Sequence, residues 1–332
     1  MPALFFVMND FLKSVLLGFV VSAVATPISA QVAGKVSPTA NSDAVAEQGA
    51  KLAGSGHCSE ALPLLKKSYA RVSDKDLKLG VGFAAVRCAM SLNERDVAVD
   101  FLRSLNREFP GTPEVLYLTV HIYSDLSTRA SQELAAAAPD SYQAHQLNAE
   151  SLEVQGKWDE AAAEYREILK SNPRLAGIHF RLGRLLLSRP DPDSSLTEQA
   201  RQEFRRELEI DPTNAGAEYV LGELARQARE LPEAIDHFTR ATRLDAGFTD
   251  AFLGLGMSLI SAQRYSDAIG PLETAVKMQP ANPAGHYNLA IAYGRVGRTE
   301  DAAREAALHR KTSEKALKED EARRQKPENL AP

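Results

Sequence analysis

Three histidines are the first residues whose spacing could do chemistry. His145, His179 and His286 each sit near the start of a helix-patterned stretch, in the same register. A shared zinc would need them within about 2 Å of one ion, whereas the same slot on successive packed helices recurs at ~10 Å. They are therefore read as packing side chains, and no metal site is assigned. Cys58 and Cys88 are the two thiols. They admit two readings: a disulfide closing the loop between them in an oxidising compartment, or two buried thiols acting as small apolar residues. Gly80-Val81-Gly82-Phe83-Ala84-Ala85 matches a loose dinucleotide pattern, but no strand precedes it and it falls in a helix-patterned stretch, so it is not read as a nucleotide site. The sequence contains no HExxH, Walker loop, GxSxG elbow or CxxC. Its carboxylates are spread over polar helix faces, which is a solvated pattern rather than an acid–base constellation. No catalytic residue and no cofactor is assigned.

Composition narrows the classes further. The 332 residues are 44% hydrophobic and 25% charged, as in folded soluble domains. With 39 Lys plus Arg against 44 Asp plus Glu, the net charge is −5. Such a chain has no general attraction for phosphate backbones, and no nucleic-acid partner is expected.

The elements that would position any site come from an internal repeat. Windows starting at Ala215, Thr249 and Pro283 align without gaps at intervals of 34 residues. Each has Leu followed by a small residue (Leu221-Gly222, Leu255-Gly256, Leu289-Ala290) and an Ala twelve residues later (Ala234, Ala268, Ala302). A large apolar residue follows in two of them (Phe238, Leu272), where the last copy has Ala306. The frame continues upstream with gaps. Residues 142–175 hold Ala149, Gly156, Trp158, Ala161, Tyr165 and Pro173, and residues 176–214 hold Leu182-Gly183, Ala200, Phe204 and Pro212. Degenerate copies are expected at residues 42–75, 79–112 and 113–141, the last shortened, with Tyr123, Ala130 and Leu134. Small residues let helix axes approach closely. Gly156 and Gly297 suit the turn within a pair, and Pro173, Pro212 and Pro280 mark the breaks between pairs. Nothing alternates as a strand would.

In these residues the chain resembles the tetratricopeptide repeat (TPR) family, over residues 42–316, most clearly over 142–316. The period of the family is the one found here. The resemblance implies an all-α fold, a right-handed solenoid of stacked antiparallel helix pairs with about seven to eight repeats. It also implies that the first helix of each pair lines a concave groove. The histidine slot is where the family usually has Trp. One pair cannot bury its apolar face alone, so stacking supplies the core.

In that frame the inner face comprises Tyr117, His121, Gln146, Glu150, Phe180, Arg184, Tyr219, Glu223, Arg226, Met257, Tyr287, Asn288, Ile291 and Arg295. Aromatic and Arg anchors among amides and both charges suit a protein partner, as an extended peptide or a helix. Asn288 is placed to hydrogen-bond a peptide backbone, as Asn at that slot does in some TPR proteins. The Lys and Asn set that clamps a C-terminal carboxylate in some members is not reproduced.

The ends carry an address and a tail. Residues 1–30 have the layout of a secretory signal peptide: Lys13, the apolar run Val15–Ala25, Pro27, and Ile28-Ser29-Ala30 as a cleavage site. The alternative is a membrane anchor through residues 3–25. Residues 31–41 read as a linker and 317–332 as a charged tail. The expectation is an exported, periplasmic or secreted, non-enzymatic scaffold holding a protein segment. The alternatives are a self-associating envelope subunit, or an enzyme with its site in the degenerate repeats. Oligomeric state is left open.

Overall fold

The computed structural model describes residues 38–190 and 194–325. The expected signal segment, most of the linker and the end of the tail lie outside them. Among the described residues there are fifteen α-helices and no strand. The chain divides into two units, residues 1–126 and 127–332.

In the first unit, α1 (Pro38–Gly54) pairs with α2 (Cys58–Ser68), and α3 (Lys75–Ser91) with α4 (Arg95–Glu108). α5 (Pro113–Ala137) begins here. The core gathers Ala61, Leu65, Ala85, Val86, Ala98, Leu102, Leu105, Val115 and Ile122. Gly80 and Gly82 lie inside α3, and a Cβ on Gly82 would meet the Leu105 side chain. Gly82 thus serves the packing of α3 on α4, whereas Gly80 is exposed with open space beside it. Cys58 and Cys88 are joined in a disulfide between α2 and α3, with their Cα atoms 4.9 Å apart.

The second unit holds five consecutive pairs. They are α6 (Tyr142–Val154) with α7 (Trp158–Ser171), α8 (Ile178–Leu187) with α9 (Ser194–Ile210), α10 (Ala215–Gln227) with α11 (Leu231–Leu244), α12 (Thr249–Ser261) with α13 (Tyr265–Met278), and α14 (Pro283–Arg295) with α15 (Thr299–Gln325). Each second helix also packs on the first helix of the next pair. This stacking makes the fold an all-α solenoid. The reason for the small residues is visible at Gly222: a Cβ there would lie 2.9 Å from the Phe238 ring, so only glycine admits that approach of α10 and α11. The turns within pairs need one left-handed residue. Gly156 (φ 72°) and Gly297 (φ 82°) supply it, and so do Asn93, Arg229 and Gln263.

One expected copy is corrected. Residues 113–141 are not a helix pair, because 113–137 form a single helix of 25 residues. Tyr123 and Ala130, expected on facing helices, share this one. The segment between them, Ser124-Asp125-Leu126-Ser127-Thr128-Arg129, lacks Gly, Pro and Asn. Val120 and Ala130 are ten residues apart, where the complete pairs have twelve, as from Gly222 to Ala234. With two residues missing from the segment, the turn does not form and the helix continues.

Candidate functional site

The first helices of the second unit present side chains along one another. α10 packs against α12, and α12 against α14. α8 reaches α6 through two ion pairs: Arg181 Nη1 to Glu150 Oε1 at 3.0 Å, and Arg184 Nη2 to Glu153 Oε2 at 3.2 Å. Gln146 also donates to Glu150, at 3.0 Å. Glu153 accepts from the Tyr165 hydroxyl of α7 at 2.6 Å. Burial, reinforced by that carboxylate, pushes the Tyr165 phenol well above its usual range. On α10, Arg226 is held by Glu223 through two hydrogen bonds, at 3.2 and 2.6 Å, which raises the guanidinium further. Tyr219, one turn before Glu223, stacks near Phe248 (4.8 Å) and Phe238 (5.9 Å). Its phenol is raised by burial, then by Glu223 and Asp250.

The remaining inner-face candidates spread along the same helices. Phe180 sits edge-on to Phe204. Met257 on α12 and Ile291 on α14 are half-buried. Tyr287 is exposed beside the His309 ring at 5.3 Å. Arg295 lies over Tyr265, 5.7 Å from the ring centroid. The Asn288 amide donates to its own helix, at the Ala284 carbonyl (2.8 Å), so one of its donors is engaged within the chain. Tyr117 and His121 belong to the first unit, on α5, with rings 4.2 Å apart.

The face therefore mixes apolar and aromatic side chains with polar ones, and most of its charges are paired with one another. The opposite side is also laced with ion pairs, between second helices or their leading turns: Arg201 to Glu230 at 2.8 Å, Arg205 to Glu233 at 3.2 Å, and Arg189 to Asp159.

The histidines have partners that the packing reading did not supply. His145 Nδ1 lies 2.6 Å from Glu164, His179 Nδ1 2.5 Å from Glu203, and His286 Nδ1 2.7 Å from Glu305. In each case the carboxylate is on the second helix of the same pair. The α10–α11 pair inverts the couple, with Glu218 in the histidine slot and His237 opposite at 2.5 Å. The α12–α13 pair replaces it with Phe252 and Pro271. The signal was in the sequence: nineteen residues separate His145 from Glu164, Glu218 from His237, and His286 from Glu305. Among the described residues, no group of three or more His, Cys, Asp or Glu is arranged to hold a metal. Glu207 was likewise not foreseen. Fully buried on α9, it accepts from the Gly177 amide at 2.7 Å and the Phe180 amide at 3.2 Å. It thus caps the start of α8, where Gly177 has no side chain to do so.

A family model for the tetratricopeptide repeat matches residues 147–215, 193–247 and 253–316. The chain carries tetratricopeptide repeats. In this TPR array the matched segments coincide with the pairs from α6 to α15. No curated protein matches the chain. Solved TPR-like structures similar to it include the protein MamA, at 25% identity and a TM-score of 0.46 over 51% of this chain and 96% of that one. A second is MamA from Desulfovibrio magneticus RS-1, at 15% identity and 0.46, over 52% and 96%. A third is YrrB, described as a TPR protein with an unusual peptide-binding site, at 17% identity and 0.48, over 59% and 98%. No residue role is carried over from them to the TPR array here.

Proposed function

We propose that this chain is an exported, non-enzymatic scaffold that holds a segment of a partner protein against the first helices of its second unit. One observation carries the reading. Along α6, α8 and α10 the charged side chains are satisfied by one another, while Phe180, Tyr219, Met257, Tyr287 and Ile291 remain at least partly accessible. Such a face gains by burying a partner's apolar residues and offers no unpaired acid and base for catalysis. Its neutrality favours an amphipathic helix or an apolar peptide over a strongly charged one. Export is supported by the signal-like layout of residues 1–30 and by the Cys58–Cys88 disulfide, a bond that persists in oxidising compartments.

The test is affinity capture from the envelope fraction, followed by titration of the retained protein. Arg184→Ala with Tyr219→Ala is expected to weaken binding by about tenfold or more, the scale of losing interface anchors. Met257→Glu is expected to weaken it without touching an ion pair. Helix content should be unchanged in both. Unaltered affinity in both variants rejects this face as the binding surface.

A further inference from the structure

α5 has the marks of a first helix whose second helix is missing. In α8, α10, α12 and α14 the residues three and ten places into the repeat are buried: Ile178 and Leu185, Ala217 and Leu224, Ala251 and Ser258, Gly285 and Ala292. Val115 and Ile122, also seven apart and buried, put α5 in the same register. Leu116, Val120 and Tyr123 then take the slots that elsewhere face the second helix of the pair. In α8 and α10 those slots are His179, Gly183, Leu186 and Glu218, Gly222, Ala225, all buried. On α5 they are 49%, 67% and 51% exposed.

The missing counterpart is in the sequence. Second helices here carry Ala, a large apolar residue four later, and often Ala three beyond, as in Ala234-Phe238-Ala241 and Ala268-Leu272-Ala275. All six are buried. Ala130-Leu134-Ala137 repeats that spacing on the later turns of α5, yet Ala130 and Ala137 are exposed and Leu134 only half-buried. These turns cannot fold back on the earlier ones. The shortened segment gives no turn, and fourteen residues of continuous helix set the two triplets about 21 Å apart.

We propose that a second copy of this chain completes the pair. α5 of each copy runs antiparallel to α5 of the other, and Leu116, Val120 and Tyr123 of one pack on Ala130, Leu134 and Ala137 of its mate. Both complementary surfaces lie on one helix, so the contact is self-matching about a two-fold axis near Ser127, and it closes. Residues 116, 120, 123, 127, 130, 134 and 137 alternate in steps of four and three, the spacing of a coiled-coil seam. The arrangement is a helix pair swapped between copies, which follows when a hinge loop is too short to turn within one chain. Val120 opposite Leu134 repeats the intrachain facing of Gly222 with Phe238 and of Gly183 with Phe204.

Sedimentation equilibrium of the purified protein tests this. The wild-type chain is expected at twice its own mass. Val120→Glu and Leu134→Lys should each halve that mass with unchanged helix content. The V120E/L134K double variant should restore it, because the two new charges meet across the axis and do so twice. A parallel pairing would set like charges together and leave the double variant monomeric. A monomeric wild type, a V120E protein of unchanged mass, or a double variant that stays monomeric each overturns the proposal.

Discussion

Tyr69 shows how one buried atom sets a stability limit. Its hydroxyl is buried with no hydrogen-bond partner, beneath a ring that meets Phe101 edge-on and carries the Lys78 ammonium 5.4 Å from its centroid. Burial, with Glu108 adding to it and Arg107 opposing it, pushes the phenol up to about 12. The folded chain thus keeps a proton that the unfolded chain gives up near pH 10. The stability this contributes is complete below pH 10 and falls as pH rises toward 12, by on the order of 2 to 3 kcal/mol. Tyr69→Phe is expected to flatten that alkaline loss, measured as urea midpoints of the first unit between pH 9 and 12. It is also expected to cost nothing at neutral pH, since an unpaired hydroxyl leaves the core. A steep loss at neutral pH in the variant would contradict this account. Tyr293, also pushed up to about 12 by burial and its bond to Glu273, adds a similar alkaline sensitivity in the second unit.

At the scale of elements, the two units are secured differently. The pairs from α6 to α15 hold by repeated Ala- and Gly-mediated contacts around Tyr165, Phe204, Phe238 and Leu272. The pairs α1–α2 and α3–α4 add the Cys58–Cys88 bond, which closes a 30-residue separation. In the chain-entropy description such a loop is worth about 3 to 4 kcal/mol. Reductant should lower the melting transition of the first unit and leave that of the second in place, read by calorimetry or limited proteolysis with and without dithiothreitol. Equal shifts of both transitions would show that the bond acts on more than its own unit. The α8–α9 pair departs from its neighbours because Glu207 replaces the small or apolar residue of that slot and turns it into a helix cap.

At the scale of the molecule, many of the described charges are paired within the chain. Arg181, Arg184 and Arg226 on first helices are each matched by a carboxylate, and so are Arg201 and Arg205 on a second helix. Partner binding at the inner face is therefore expected to depend weakly on salt, changing by no more than about threefold between roughly 0.05 and 0.5 M. Isothermal titration over that range checks it. A steep fall would mean that unpaired charges, not apolar burial, carry recognition.

Several features were written in the sequence alone: the all-α class, the 34-residue period and the stacked pairs. They were legible because they rest on a repeated apolar and small-residue pattern, where many copies state the same contact. Tertiary structure decided what pattern cannot carry. Whether Leu-Ser-Thr turns or continues as helix depends on two absent residues, so 113–137 became one helix. Whether Cys58 meets Cys88, His286 meets Glu305, or Glu207 reaches the Gly177 amide depends on distances between single side chains on packed helices. A hydrogen bond fails when stretched by less than about 1 Å, whereas an apolar stripe tolerates such shifts. The packing was therefore readable from composition and spacing, and the polar partners only from the folded chain.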